Sequence, residues 1–258
     1  MVRYELFKHM TINFYNKVAK KFGGYYTDVK YSTEYLNGAP EKIFREKLIN
    51  LSGEDKTVLD VGCADGRFTL SVASYFRRTI AIDLSTVMLD IARKNQKKQA
   101  NKNISFEKQN ADNTNYSDGF FDVVYSRRGP TPFIEFYRLL RRGGYFVGIN
   151  IGEKDCIEIK RIFNRGQEFS QRGRSRLEAD EQELEKAGFK TVFAKEYFYN
   201  EYYTSYKDLD IFLHGVPIFE DFDSEKDRKY LEEYVMKFKT EKGIKFPRHR
   251  VVIVAKKF

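Results

Sequence analysis

The sequence predicts an α/β protein: a doubly wound, mostly parallel seven-stranded sheet with a last antiparallel strand, plus helical segments that read as lids. Three observations predict it. Apolar runs at 57–62, 79–85, 121–126 and 145–151 have the length of strands buried on both faces. Between them lie stretches whose apolar residues recur at helical spacing. Strands and helices that alternate in this way imply right-handed crossovers, and hence a parallel sheet covered on both sides.

Taken in order, Gly38-Ala-Pro40 opens a helix in which Ile43, Phe44, Leu48 and Leu51 share a face, with Pro40 suited to the first turn. Ser52-Gly53 ends it and Thr57 to Gly62 is the first buried strand. Phe68, Val72, Ala73 and Phe76 mark the buried stripe of the next helix. TIAIDLS (79–85) is the second strand, followed by a helix with Met88, Ile91 and Ala92 on one face and Arg93, Lys94, Lys97 and Lys98 elsewhere. NISFEKQN (103–110) alternates as a third strand and FDVVYS (121–126) is a buried fourth. PFIEFYRLL reads as a short helix stopped by Gly143-Gly144 before the strand YFVGINI (145–151). EQELEKAGF is a helix stopped at Gly188, and KTVFAKEYFY (190–199) is the sixth strand. Ser224 and Asp227 have the spacing of a capping box for a helix carrying Leu231, Tyr234, Val235 and Phe238. HRVVIVAKK (249–257) is the seventh strand. Residues 1–38, 152–178 and 200–247 fall outside the alternation and are the expected lid material: an N-terminal helical segment over 1–38 precedes a main domain over 39–258, with insertions at 152–178 and 200–247.

Hydrophobic residues make up 41% and charged residues 32%, a soluble balance, and no run approaches the roughly 18 apolar residues of a membrane span. MVRYELFKHM lacks the apolar centre of a signal peptide, so the expected location is cytoplasmic, without membrane association. Cys63 and Cys156 cannot form a disulfide framework and have no metal-ligand spacing, so no metal is expected. A formal charge of +9 admits anionic partners such as RNA or phosphorylated metabolites, although a Lys-rich composition alone produces the same charge.

The chemistry centres on VLDVGCADGRFTL (58–70), a strand running into a loop of small residues. A triphosphate loop needs Lys and Ser/Thr after its second glycine, and here Arg67-Phe68 follow Gly66. A dinucleotide fingerprint needs glycines at the positions of Gly62, Ala64 and Arg67, and only the first is met. S-adenosylmethionine remains: a small-residue loop lets the backbone approach its aminocarboxylate, and Asp83 at the tip of the second strand can accept both ribose hydroxyls. An N-cap role for Asp83 is the competing reading.

With these motifs in view, the chain resembles the Rossmann-like (class I) S-adenosylmethionine-dependent methyltransferases. The resemblance rests on VLDVGCADGRFT, AIDLSTVMLDIA, QNADNTNYSDGFFDVV and EFYRLLRRGGYFV, covers residues 10–151 well, and extends to HRVVIVAKK as the family's antiparallel seventh strand. Ala64 departs from it, standing where the family often has glycine. The resemblance implies that Asp60, Gly62, Cys63, Ala64 and Gly66 wrap the methionine end and that Asp83 and Leu84 hold ribose and adenine. It further implies Asn110, in Asn110-Ala111-Asp112, at the adenine amine, with a plain turn as its alternative, and Ser126 beneath the reactive methyl. NFYNKVAKKFGGYY is similar to the lid helix of small-molecule members, where Tyr15 would cover the methionine carboxylate; aromatic packing is the alternative.

Methyl transfer needs positioning more than a dedicated base. No Pro-Cys pair or Asn/Asp-Pro-Pro-aromatic motif is present. Arg127 and Arg128 in SRRGPTPF follow the fourth strand and are candidates to pair an anionic group of the substrate. Arg165, Arg172, Arg174 and Arg176 form a second basic stretch that reads equally as a solvated loop. His214 in DIFLHGVPIF is the histidine best suited to act as a base, against a structural alternative. The expected activity is methyl transfer to an oxygen or nitrogen of a small molecule, with methylation of a ribosomal RNA base or a non-catalytic cofactor-binding role as alternatives. Oligomeric state is not encoded in any motif.

Overall fold

The computed structural model describes residues 2–25, 27–99, 102–169 and 175–258, with side chains from residue 12 onward. In chain order the elements are α1 (Val2–Phe22), β1 (Tyr31–Tyr35), α2 (Pro40–Ile49), β2 (Gly53–Val61), α3 (Arg67–Val72), a 3-10 turn (Ala73–Tyr75), β3 (Phe76–Asp83) and α4 (Thr86–Lys97). They continue with β4 (Ile104–Lys108), β5 (Phe121–Arg127), α5 (Phe133–Leu139), β6 (Leu140–Ile151), α6 (Ile157–Phe163) and α7 (Arg176–Lys186). The chain closes with β7 (Lys190–Tyr203), α8 (Tyr206–Gly215), α9 (Arg228–Phe238), β8 (Lys239–Thr240) and β9 (Gly243–Lys256). The seven expected strands are all present; among the described residues β1 and the two-residue β8 bring the number in the sheet to nine, in the order β1-β7-β9-β6-β5-β2-β3-β4 with β8 on β9.

Two compact units emerge. Pro40–Ile151, Arg176–Glu196 and Val251–Phe258 form one, called here the βαβ unit; Met1–Ala39, Gly152–Ser175 and Tyr197–Arg250 form the other, the companion unit. No described helix is long and apolar enough to cross a membrane.

In the βαβ unit the registers Val58↔Thr79, Val58↔Val123, Thr79↔Ile104 and Val124↔Phe146 are all parallel. Thr57 to Val61 are buried without interruption, which is why that run shows no alternation in sequence. Each apolar side chain fully buried there contributes about 1.5–3 kcal/mol. α2 begins on Pro40, whose missing N–H is harmless in a first turn, and buries Phe44 and Leu48. Ser85 caps α4, its Oγ accepting from Met88 N at 3.1 Å, so that Met88, Leu89 and Ala92 face inward. Gly188, at φ +96°, ends α7 as expected.

Some local expectations are corrected. Phe76 opens β3 rather than completing the stripe of α3, because the Asn103 amide donates to both Ala73 O and Phe76 O and closes a 3-10 turn there. Gly143 and Gly144 do not precede β6 but lie inside it as a bulge: Phe121↔Leu140 is followed by Val123↔Tyr145, two residues on β5 against five on β6. Lys257 N donates to Gly144 O and Gly152 N to His249 O, so partners descend along β9 as β6 ascends, the antiparallel sense expected of the last strand.

In the companion unit, Phe163 stacks on Phe219 (4.3 Å, 10°), and Tyr203, Phe246 and Tyr234 fill the space beside them. A buried ion cluster accompanies this apolar core. Arg248 pairs with Asp155 (3.0 Å) and Glu201 (2.6 Å), and Arg250 with Asp155 (2.6 Å). Burial pushes the Asp155 carboxyl up, but the two guanidinium groups prevail and hold it far below the usual carboxylate range. The capping box expected at α9 does not form. Asp227 sits at the N-cap without a side-chain cap, its Oδ2 accepting instead from Asp223 N and from Arg165.

Candidate cofactor site

β2 delivers Asp60 to a place where 3% of it is exposed, with Thr69 Oγ1 donating to its Oδ2 at 2.5 Å. Burial raises the Asp60 carboxyl to about 6, against the opposing pull of Thr69, Tyr125 and Arg127. Beyond it the loop turns through Gly62 (φ +77°), Ala64 (φ +47°) and Gly66 (φ +72°). Ala64 thus holds the left-handed conformation that glycine adopts without cost, at about 1–2 kcal/mol. Gly62 N and Cys63 N both donate to Ile82 O, Ala64 N to Asp83 Oδ2, and Gly66 N to Cys63 O. The loop's amides therefore anchor it to β3; what it presents outward is close-approaching backbone. The Cys63 thiol is raised well above its ordinary range, first by burial and then by Asp60, which makes it a poor nucleophile.

Gly66 serves packing: a Cβ there would lie 2.7 Å from Phe106 Cζ and 2.9 Å from Ala92 Cβ. Gly62 serves the approach of a second loop, since a Cβ would meet Pro130 Cδ at 3.2 Å and Gly129 Cα at 3.4 Å. The loop after β2 and the loop after β5 consequently touch at the C-terminal edge of the parallel strands, where ligands of open α/β sheets bind.

Asp83 ends β3 with both oxygens engaged, Oδ2 by Ala64 N (2.9 Å) and Oδ1 by Ser85 N (2.8 Å). Burial raises its carboxyl while these amides pull it down. The N-cap of α4 is Ser85, so the capping alternative for Asp83 fails, but Asp83 does clamp the first loop to the second. Carboxylate oxygens carry further lone pairs, so acceptance from a ribose diol remains open to it. Leu84 follows at the same edge, half-buried. Asn110 is exposed and its Oδ1 accepts from Asp112 N at 3.2 Å, an Asx turn that uses the oxygen assigned to adenine; Ala111 is buried behind it. Ser126, at the end of β5, is fully buried and its Oγ has no hydrogen-bond partner among the described residues.

The two arginines after β5 are brought together by a residue that no motif singled out. Glu41, in the first turn of α2, accepts from Arg127 Nε at 2.8 Å and lies 3.6 Å from Arg128 Nη2; Arg127 also covers the Phe68 ring at 5.3 Å. Eighty-six residues separate Glu41 from Arg127, and only the fold connects them. Thr69 and Tyr125, which surround Asp60, are likewise marked by no motif.

The remaining candidates belong to the companion unit. Tyr15 packs edge-on against Phe14 (5.6 Å) and Tyr25 (5.4 Å). His214 Nε2 lies 2.8 Å from Ser224 Oγ. Arg165 is committed to Asp221 and Asp227 and lies over Phe219, so it is a staple rather than a solvated cation. Arg172 and Arg174 lie outside the described residues, and Arg176, in the βαβ unit, pairs with Asp180 (2.8 Å).

The residues fit an adenosyl-sulfonium cofactor: a loop of small residues in left-handed backbone, one buried and one half-buried carboxylate, and a buried serine hydroxyl without a hydrogen-bond partner among the described residues. Comparison with known proteins agrees. Residues 58–144 match the family model described as a methyltransferase domain. Over 168 residues the chain is 28% identical to a demethylmenaquinone methyltransferase of Lactococcus lactis, covering 60% of this chain and 67% of that protein. It spans about three fifths to two thirds of the curated relatives it matches. In fold it is similar to a candidate methyltransferase from Bacillus halodurans (TM-score 0.62, 19% identity, 83% of this chain and 98% of that one). It is also similar in fold to Haemonchus contortus phosphoethanolamine N-methyltransferase 2, solved with phosphomonomethylethanolamine and S-adenosylhomocysteine (TM-score 0.52, 18% identity, 85% and 53%). Residues 58–144 thus form a methyltransferase domain, carried on a sheet with the fold of the class I, Rossmann-like S-adenosylmethionine-dependent methyltransferases.

Proposed function

We propose that the protein transfers a methyl group to an oxygen or nitrogen atom of a small molecule. The observation that carries this reading is the convergence of Asp60, Asp83 and Ser126 at the ends of adjacent parallel strands, beside the left-handed Gly62–Gly66 loop. In this reading Asp60, Gly62, Cys63, Ala64 and Gly66 line the methionine end and Asp83 with Leu84 the ribose and adenine. The Asn110-Ala111-Asp112 turn borders the adenine. When bound, S-adenosylmethionine supplies a methyl group on a cationic sulfur. The chain's own work is to orient the acceptor and exclude water, which needs no dedicated base. Arg127 and Arg128, held by Glu41, are the candidates to orient a polar or anionic acceptor. Residues 1–38 and 200–247, with Tyr15, are the candidate lid, and residues 152–178 a further insertion.

The small-molecule acceptor is supported by relatives named for demethylmenaquinone and by a fold neighbour solved with phosphomonomethylethanolamine. The test is methyl incorporation from labelled cofactor into fractionated cell extract, with and without ribonuclease, over a salt series. A small, ribonuclease-resistant product is expected. A large, ribonuclease-sensitive product lost at moderate salt replaces this reading with RNA methylation. Tight S-adenosylhomocysteine binding with no product in any fraction points to a non-catalytic role.

A further inference from the structure

We propose that a cavity in the companion unit, bounded by α1, the end of α8 and the segment after it, binds an uncharged aromatic molecule that donates a hydroxyl hydrogen bond to His214 Nδ1. The cavity measures about 300 Å³, at the lower end for small-ligand pockets. Phe14, Val18, Leu213, Phe219 and Phe222 give it apolar walls. Lys17, Lys21 and Lys226 are matched by Glu220, Asp221 and Asp223, so the lining has no excess of either sign to select an ion. A mixed lining whose charges balance favours a neutral ligand with an apolar body; its orientation must then be fixed by a polar group that keeps an open hydrogen-bonding atom.

His214 is that group, and its protonation pattern follows from its neighbours. Ser224 Oγ donates to Asp210 Oδ2 at 3.0 Å, the carboxylate being able only to accept. A hydroxyl has one proton, so toward His214 Nε2, 2.8 Å away, the same oxygen can act only as acceptor. Nε2 therefore carries the hydrogen and Nδ1 keeps its lone pair. Among the described residues no hydrogen bond to Nδ1 is formed, and the ring is fixed edge-on by Phe222 at 4.9 Å. Ser224 and Asp210 are thus positioning residues, and this accounts for Ser224 not capping α9. The charged groups around the ring are Lys17 and Lys21 of α1, Asp210 of α8, and Glu220, Asp223 and Lys226 of the following segment. Burial, then Lys21, lower the imidazole's proton affinity while Asp210 and Asp223 raise it; the balance is downward, which keeps the ring neutral at neutral pH.

This inference rests on the small-molecule reading only in offering a class of acceptor, an aromatic alcohol. Its test needs no cofactor, so its failure is distinguishable from failure of S-adenosylhomocysteine binding, which is titrated separately. Long-range proton–nitrogen correlation spectra of ¹⁵N-labelled protein are expected to show His214 as the Nε2–H tautomer. Ser224→Ala should give a mixture of tautomers and Ser224→Thr should restore the single form. Calorimetry with 2-naphthol and 2-methoxynaphthalene is expected to favour the naphthol at least about tenfold, the worth of one hydrogen bond, and His214→Phe should abolish the preference. An Nδ1–H ring in the unsubstituted protein overturns the relay whatever the variants do. Equal affinities for the two probes, or binding of neither, overturns the site.

Discussion

Asp60→Asn separates the energetic role of a buried carboxylate from its place in the cofactor site. The side chain is 3% exposed and its carboxyl is raised from the ordinary 3.8 to about 6, chiefly by burial. Between those pH values the folded chain holds a proton that the unfolded chain has released. Stability therefore falls as pH rises through this window and stays lower above it. The difference of roughly two pH units, at about 1.4 kcal/mol each, corresponds to about 3 kcal/mol. Asparagine cannot ionise, yet its Oδ1 can still accept from Thr69 Oγ1. The stability of Asp60→Asn relative to the unsubstituted protein should accordingly grow by about 2–3 kcal/mol from pH 4 to pH 7. Urea unfolding followed by circular dichroism or tyrosine fluorescence is suitable, since the chain has 18 Tyr and no Trp. Taking the difference between the two proteins removes titrations common to both. If the difference is flat, or shrinks as pH rises, the Thr69 and Tyr125 hydroxyls hold Asp60 ionised in the fold and the argument from burial is refuted.

Asp83→Ala should destabilise the fold by about 2–4 kcal/mol, because two backbone amides lose a charged acceptor, and should also weaken S-adenosylhomocysteine binding per folded molecule. An unchanged melting curve argues against the clamp, and unchanged affinity argues against the ribose role. Gly66→Ala should cost about 2–5 kcal/mol, combining a left-handed alanine with a methyl group driven into Phe106 and Ala92; a denaturation midpoint like that of the parent contradicts the packing reading. Asp155→Ala leaves Arg248 with Glu201 and removes the carboxylate that pairs with the buried Arg250, at a cost of about 3–5 kcal/mol. Because Asp155 is depressed in the fold, its contribution is present above the ordinary carboxylate range and is lost only in strong acid, so the deficit should be the same at pH 6 and pH 8.

The sequence by itself determined the parts governed by local periodicity and by short-range geometry. Thr57 to Val61 and Val123 to Ser126 are buried without alternation because both faces of a parallel strand are covered, and the mostly apolar run that results is legible without any knowledge of neighbours. The loop Gly62 to Gly66 was legible because left-handed backbone and close approach restrict residue type at the position itself. Asp83 could be placed at the cleft from spacing alone. Its partners could not, since whether its oxygens face a ligand or the Ala64 and Ser85 amides depends on how two loops meet in space. The same holds for Arg127, which looks free in sequence and is paired with a glutamate in a distant helix. Ser224 and Asp227 have the spacing of a cap, but Asp210, Arg165 and His214 compete for the same oxygens and prevail. Hydrogen bonds and ion pairs of this kind carry no period along the chain. They are decided by which strand ends and helix termini the packing of the core brings within about 3 Å of one another, and only the tertiary structure decides that.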